Sequence, residues 1–136
     1  MSYGVGAALQ AAIYDTLVAD AALAALVGSD IYDAVPPGTL PSIYVTLGDE
    51  IARDRSDKTG DGAEHTFVVS VVTQVDGFAR AKQAAAAISD ALHGQAPALS
   101  RGRVVSMNFL RAAASREQTG GVRRIDLRFR ARVEDD

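Results

Sequence analysis

Alternation of apolar and polar residues is clearest over residues 64–74, where it predicts a strand. Phe67, Val69, Val71 and Thr73 share one face, and the segment is rich in β-branched side chains. After Gly77 the apolar spacing becomes that of a helix. The predicted inward stripe is Phe78, Ala81, Ala85, Ile88 and Leu92. This strand–helix unit is expected to be the centre of a two-layer domain, which the rest of the chain completes or covers.

Four residues with special backbone or capping roles mark the predicted helix ends. Asp76 is expected to cap the helix that follows the strand, and Gly94 to end it in a left-handed conformation. At the start of the chain, residues 5–19 are predicted to be helical. Asp20 is expected to cap a second helix over residues 21–27, which Gly28 ends. The inward stripe of the first helix is Val5, Leu9, Ala12, Ile13 and Leu17.

Three more segments alternate as strands do: residues 42–49, 103–110 and 122–133. In the second of them Val105, Met107 and Phe109 are predicted to point inward. Residues 31–33 are expected to be a short extended piece, residues 35–41 a rigid proline-rich connection, and the tail 134–136 frayed. The prediction is one domain spanning residues 1–136, of the α+β class. It has a mostly antiparallel four-stranded sheet with helices packed on one face.

Composition narrows the class of function. The chain has 136 residues, 48% hydrophobic and 23% charged, which is ordinary for a globular domain. It has no cysteine, which excludes disulfides and thiolate chemistry. The formal charge of -3 predicts no general affinity for nucleic acid. No signal peptide and no membrane contact are expected, because no basic segment precedes an apolar run and no apolar run is long enough to span a bilayer.

Motifs for catalysis or metal binding fail on their spacing. His65 and His93 are not at metal-ligand spacing, and they are predicted to be a strand-edge and a helix-end histidine. Asp57 and Asp61 match the opening of a calcium loop, but its twelfth position is Val68, which cannot bind the ion. No nucleotide fingerprint or nucleophile elbow is present. The sequence therefore predicts a protein that is not an enzyme and needs no cofactor or metal.

Two charged segments are candidate protein-contact sites. The last strand places Arg124, Arg128, Arg130 and Arg132 on one face with Asp126. Either these charges are a solvated face that guards an edge strand, or they bind an acidic partner or a neighbouring subunit. Nucleic acid is a weaker option, because that face has no aromatic residue for base stacking. The loop over residues 53–62 has no apolar residue and is predicted to be mobile in the free protein. Its candidate contact residues are Arg53, Asp54, Arg55, Asp57 and Lys58.

The order of segments resembles a phage protein family. The runs ALQAAIYDTL over residues 8–17 and DAALAALVG over residues 20–28 are similar to the start of that family. Residues 30–48 and the strand-to-helix step over residues 67–92 extend the likeness to nearly the whole chain. The family is that of the tail terminator, or tail completion, proteins of long-tailed phages and of phage-derived gene transfer agents.

This resemblance implies a structural virion protein at the head–tail junction, assembled in the cytoplasm of the bacterial host. The resemblance also implies that copies of the chain form a homohexameric ring, as members of that family do. The ring caps the tail tube, stops tube growth and presents a surface to the head connector. The implied partners are other copies of the chain, the tail tube protein and the head–tail connector proteins, and DNA would pass through the ring without specific binding. Two other hypotheses stay open: a small cytoplasmic α+β domain that binds a ligand or regulates, and an enzyme without a recognisable site.

Overall fold

The computed structural model describes residues 2–58, 60–75, 77–117 and 121–136. Its helices are α1 (Gly6–Ala19), α2 (Ala21–Val27) and α3 (Ala79–Leu92). Its strands are β1 (Ile31–Tyr32), β2 (Ile43–Asp54), β3 (Gly62–Thr73), β4 (Arg103–Arg116) and β5 (Arg123–Glu134). The strand order is β1-β2-β3-β5-β4; β1 runs parallel to β2, and the other neighbours are antiparallel. The α+β class is confirmed, but the sheet is mixed and has five strands rather than four, because residues 31 and 32 join it.

The core lies between the helices and one face of the sheet. The inward stripes predicted for α1 and α3 are buried except Phe78, which is partly buried and packs against the core, and they meet the inward residues of β3 and β5. Fully buried examples are Leu9, Leu17, Ile88, Leu92, Val69, Val71, Leu127 and Phe129. No single helix in the described ranges is long and apolar enough to cross a membrane. Taken together, α1 and α2 meet the length and composition criteria only as a pair bent by 76°.

Three of the four helix-end predictions are confirmed, and one of them is Gly28, which ends α2 with φ of 62°. The Asp20 carboxylate accepts a hydrogen bond of 2.9 Å from the Leu23 N–H, so it caps α2 as expected. Gly94 follows α3 with φ of 74°, the left-handed conformation predicted for it. The predicted cap Asp76 lies outside the described residues, and α3 begins after Phe78 without a side-chain cap.

Bulges explain why β2 and β4 are longer than predicted. The β2–β3 register shifts between Leu47 and Glu50, which interrupts the alternation of β2 although pairing continues to Asp54. The β4–β5 register shifts twice, between Val104 and Ser106 and between Phe109 and Arg111. The prediction that Val105 points inward is therefore wrong: it lies in a bulge and is 42% exposed.

The prediction that the acidic tail is frayed is wrong. Glu134 belongs to β5, and the Asp135 N–H donates to the Asp61 carbonyl at 2.9 Å. The Arg101 guanidinium donates to both carboxylate oxygens of Asp135, at 2.9 and 2.8 Å. These bonds hold the pKa of Asp135 below its usual range, chiefly through the hydrogen bond from Arg101. The tail is therefore tied to the linker before β4 by a bidentate ion pair.

Acid is expected to release this tail. Because the folded-state pKa of Asp135 is lowered, its stabilising effect is complete above the ordinary carboxyl pKa, about 4. That effect is lost as the pH falls through the lower folded-state value. An NMR titration of the Asp135 carboxyl should give a lower midpoint in the wild type than in Arg101→Gln, in which the paired donors are removed. Equal midpoints in the two proteins would contradict the prediction.

Candidate protein-contact surface

The open face, which is the sheet face opposite the helices, carries the candidate arginines of β5. Ile125, Leu127 and Phe129 point into the core, and the arginines alternate with them on the other side. However, β5 pairs with β3 on one side and with β4 on the other, so it is a central strand. The reading in which these arginines guard a sheet edge is therefore wrong.

Arg124 is held by neighbours on the open face. Its Nε donates to Asp126 Oδ1 at 2.8 Å, and the hydroxyl of buried Ser70 donates to the same oxygen at 2.6 Å. The charge of Arg124 is thus balanced within the domain. We therefore assign Arg124 to the internal structure of the sheet rather than to a partner.

Arg128, Arg130 and Arg132 form what we call the arginine cluster. In the part of the chain that the structure describes, none of their side chains has an ion-pair or hydrogen-bond partner. Arg128 lies opposite Arg111 of β4, a like-charge pair that adds to the positive potential. Its cross-strand neighbour on β3 is the apolar Val68. The cluster therefore presents cationic donors that are free to meet groups outside the domain.

The charged loop is shorter than predicted and has local hydrogen bonds. Arg53 and Asp54 belong to β2, which leaves residues 55–61 between the strands. Asp54 accepts from the Ser56 hydroxyl and N–H, at 2.7 and 3.0 Å, which lowers the pKa of this carboxyl. The Arg55 side chain pairs with Glu64 at 3.2 Å. The Asp57 N–H donates to the Gly60 carbonyl at 3.0 Å, which closes a turn.

Folding brings part of the loop beside part of the arginine cluster. Together they line a depression of about 520 Å³, which we call the charged depression. Its lining residues are Asp54, Arg55, Ser56, Asp57, Glu64, Ser106, Asn108, Arg130 and Arg132. Arg53, Lys58, Arg124 and Arg128 lie outside it, and Arg128 lines two other shallow depressions of the open face. Of the nine predicted contact residues, five therefore share one site, in which carboxylates face guanidinium groups.

The sequence did not predict a cluster in which Tyr3 and Glu50 cover the buried His65. The Tyr3 hydroxyl donates to Glu50 Oε1 at 2.5 Å, which raises the pKa of Tyr3. The Tyr3 ring stacks on His65, with ring centroids 6.0 Å apart, and His65 Nδ1 lies 3.3 Å from Glu50 Oε2. His65 is fully buried within β3, so its prediction as a strand-edge histidine is wrong. The only sign in the sequence that His65 is buried was the alternation of the strand, which places His65 on the same inward face as Phe67.

The side chains of the open face and the charged depression are suited to binding another protein. Its groups are guanidinium, carboxylate, hydroxyl and amide side chains, which form hydrogen bonds and ion pairs with a partner. In the described ranges, no group of three or more His, Asp or Glu side chains could hold a metal ion. The mixed charge of the depression fits a partner surface that offers both signs of charge.

Comparison with known proteins assigns the family. The family described as tail completion protein gp17 matches residues 11–134, which is most of the chain. The chain belongs to this tail completion family. A solved structure described as the virion of a native gene transfer agent (GTA) particle contains a chain 62% identical to it. The match covers 98% of this chain and 99% of that chain, with a TM-score of 0.92. Among curated proteins no match was found.

Membership of the tail completion family confirms the resemblance seen in the order of segments. The matched residues include every helix and strand except the first turns of α1. The match thus contains most of the two-layer fold, including the charged depression of the open face.

Proposed function

We propose that this tail completion protein is a structural component of a virion tail, located at the head–tail junction. In this proposal six copies form a ring that caps the tail tube, ends its polymerisation and provides the surface to which the head connector binds. The observation that carries the proposal is the 62% identity, over nearly the full length, to a chain of a gene transfer agent virion. DNA passes through the ring without specific binding, as the net charge of -3 suggests.

The surface of the domain supports a role in assembly. A closed ring of identical copies uses two different patches on every subunit, and further patches must meet the tube and the connector. The arginine cluster and the charged depression offer polar contacts of both signs. Polar contact surfaces are typical of subunits that fold before they assemble. Family membership also favours this role over a cytoplasmic ligand-binding domain or an enzyme, and the proposal includes no catalytic step.

A deletion strain tests the proposed function directly. Electron microscopy of particles without this protein should show tails of abnormal length, or tails and heads that are not joined, and a plasmid copy of the gene should restore normal particles. Tails of normal length joined to heads in the deletion strain would overturn the proposal. A particle map with the chain located away from the head–tail junction would overturn it as well.

Removal of two charges from the arginine cluster is expected to weaken assembly and not folding. The double variant Arg128→Gln with Arg130→Gln should lose little stability, about 0–1 kcal/mol per exposed charge. Its particle yield should fall, because the cationic donors of the open face are lost. The control is Arg80→Gln with Lys82→Gln, which removes two charges from exposed positions of α3, together with the hydrogen bond from Arg80 to the Leu26 carbonyl. Equal yields from the two double variants would return the cluster to the role of a solvated face.

The loop is expected to become more protected from amide exchange when the protein assembles. Residues 55–61 have no apolar side chain to anchor them, so the cost of ordering the loop is offset only when a partner supplies contacts. Amide exchange should be fast there in the free protein and slower in purified particles, with β3 protected in both as the control. Strong protection of the loop in the free protein would contradict this prediction.

A further inference from the structure

The second half of β4 is exposed on the side of the sheet that the helices occupy. Four residues there lie on the helix side, because the register places them opposite the core-side positions of β5. They are Phe109, Ala112, Ala114 and Arg116, and all four are exposed. The described helices therefore cover β5 at this level and leave the neighbouring part of β4 bare. We call these four residues the β4 face.

A groove at the opposite edge of the sheet lies between the outer side of α1 and the segment of β1. Its volume is about 530 Å³. Its walls include Ala7, Ala11 and Tyr14 of α1, and Tyr32 and Asp33 at β1. Because β1 and β4 are the two edge strands, the groove and the β4 face lie on opposite sides of the domain. We call this groove the α1 groove.

Helix α1 is apolar on its outer side as well as on its inner side. The inner side is buried in the core, yet Ala7, Ala11 and Val18 are exposed on the outer side. Asp15 is the only charged residue of the helix. A helix that is apolar all round is normally covered on all sides. The outer side of α1 is therefore suited to contact with another protein.

The α1 groove and the β4 face lie at the same level of the sheet. One row of paired residues crosses all five strands and joins the two surfaces. From the groove to the β4 face, the row is Ile31, Val45, Val71, Ile125 and Ala114. A contact between neighbouring copies at this level needs no shift along the strands, which favours a flat ring over a rising filament.

The two sides of the domain carry opposite charge. Residues 1–52 contain six carboxylates and no lysine or arginine, whereas β4 contains three arginines and no carboxylate. Asp33 is the only charged residue among those that line the α1 groove, and Arg116 is the only one on the β4 face. Within the described ranges, neither side chain has a hydrogen-bond or ion-pair partner. Arg116 lies opposite Arg123 of β5, and this like-charge pair favours an anionic partner.

We propose that the β4 face of one copy covers the α1 groove of the next copy in the ring, with Arg116 paired to Asp33. The contact places the apolar side chains of the two surfaces together. It leaves one charge of each sign, and these charges pair because burial of a charge without a partner is costly. The inference names the two patches by which the ring closes, and it relies on the proposed function for the particle in which the contact forms.

Contact of either surface with itself is disfavoured. Two α1 grooves would bring Asp33 carboxylates together, and two β4 faces would bring Arg116 guanidinium groups together. Contact between unlike patches on opposite sides of a subunit repeats from copy to copy, and it builds a ring rather than a closed dimer.

Charge exchange in the deletion strain tests the pairing. Asp33→Lys and Arg116→Glu, each supplied from a plasmid, should weaken every contact about tenfold or more, because each places like charges together in the interface. The yield of joined particles should fall in both. The double variant restores opposite charges at every contact, so its yield should recover. Asp90→Lys is the matched control, since it makes the same charge change at an exposed position of α3.

The double variant decides which partner these charges meet. Loss of particles in both single variants without recovery in the double variant would mean that each charge meets a different protein, such as the tail tube or the connector, and would overturn the proposal. Normal yields from both single variants would overturn it as well. Circular dichroism of each purified variant shows that the comparison is made between folded proteins.

Cysteine cross-linking tests the same contact independently, since the chain has no cysteine of its own. The double variant Ala11→Cys with Ala112→Cys is oxidised in purified particles. A disulfide within one chain leaves its mass unchanged, so a ladder of covalent multimers reports contacts between copies, and such a ladder is expected. The matched control is Ala11→Cys with Ala113→Cys. Ala113 pairs with Asp126 on the open face, so its side chain points away from the proposed contact and no ladder should form.

Each outcome of the cross-linking decides the proposal. No ladder from the first variant, or a ladder from the control alone, would overturn the contact and leave the tail function standing. Dimers from Ala112→Cys alone would mean that two β4 faces meet, and would also overturn it. Failure of the proposed function is seen separately, as normal tails in the deletion strain.

Discussion

Replacement of Phe129 by alanine is expected to lower the free energy of unfolding by about 3–5 kcal/mol. Phe129 is fully buried in the central strand β5. Its ring lies between those of Phe67 and Phe109, with centroid distances of 5.5 and 5.6 Å. Truncation leaves a cavity in the middle of the sheet and removes two aromatic contacts, each worth about 0.5–1.5 kcal/mol beyond the buried area.

Denaturation with urea measures this loss, and Phe109 provides the control. Phe109 belongs to the same aromatic group but lies on the edge strand and is 36% exposed, so Phe109→Ala should cost clearly less. Phe129→Leu keeps most of the volume and should lie between the two. Equal losses for Phe129→Ala and Phe109→Ala would show that central position and burial do not set the cost.

The change Gly102→Ala is expected to destabilise the fold by at least about 2 kcal/mol. Gly102 precedes β4 with φ of 72°, where a side chain is strained. An added Cβ would also lie 2.5 Å from the Glu134 carbonyl oxygen and 3.0 Å from Val5 Cγ2. The backbone at the end of β5 must therefore move to accept a methyl group, and the Val5 side chain must shift as well.

The variant Gly94→Ala is a control that distinguishes backbone strain from steric conflict. Its φ of 74° nearly equals that of Gly102, but no atom lies within 4 Å of the place its Cβ would occupy. Gly94→Ala should therefore cost only the left-handed conformation, about 1–2 kcal/mol. Thermal unfolding of both variants measures the difference. A Gly94→Ala variant as unstable as Gly102→Ala would contradict the steric explanation.

The sequence pattern predicted the features that depend only on neighbouring residues, such as the helix ends. Asp20 caps α2 and Gly94 ends α3 because capping depends on a few neighbouring residues. Strand β1 has two residues, too few to show a period, so its place in the sheet could not be predicted. The bulges of β2 and β4 break the alternation that sequence reading relies on, which is why Val105 was placed wrongly.

The sequence indicated which residues belong to the candidate site, but not how they are arranged in space. Alternation in β5 was enough to place four arginines on one face. The order of strands depends on long-range pairing, however, so nothing in the sequence put Arg130 and Arg132 beside the loop, or brought Ser70 of β3 to Asp126. The contact between the end of α3 and β4, where the Gly94 N–H donates to the Met107 carbonyl, likewise depends on long-range packing.

The position of β5 between β3 and β4 has a consequence for the kinetics of folding. β5 is the last strand in the sequence, yet it lies between β3 and β4 in the sheet. Its pairing with β3 joins residues from 50 positions apart (Thr73 and Arg123) to 72 positions apart (Gly62 and Glu134). During translation, β3 and α3 leave the ribosome well before the strand that completes their core. Because such distant pairing must first close a long loop, the sheet is expected to form more slowly than a helical bundle of the same size. Until β5 arrives, the nascent chain exposes the apolar face of β3, and chaperone binding is expected in that interval.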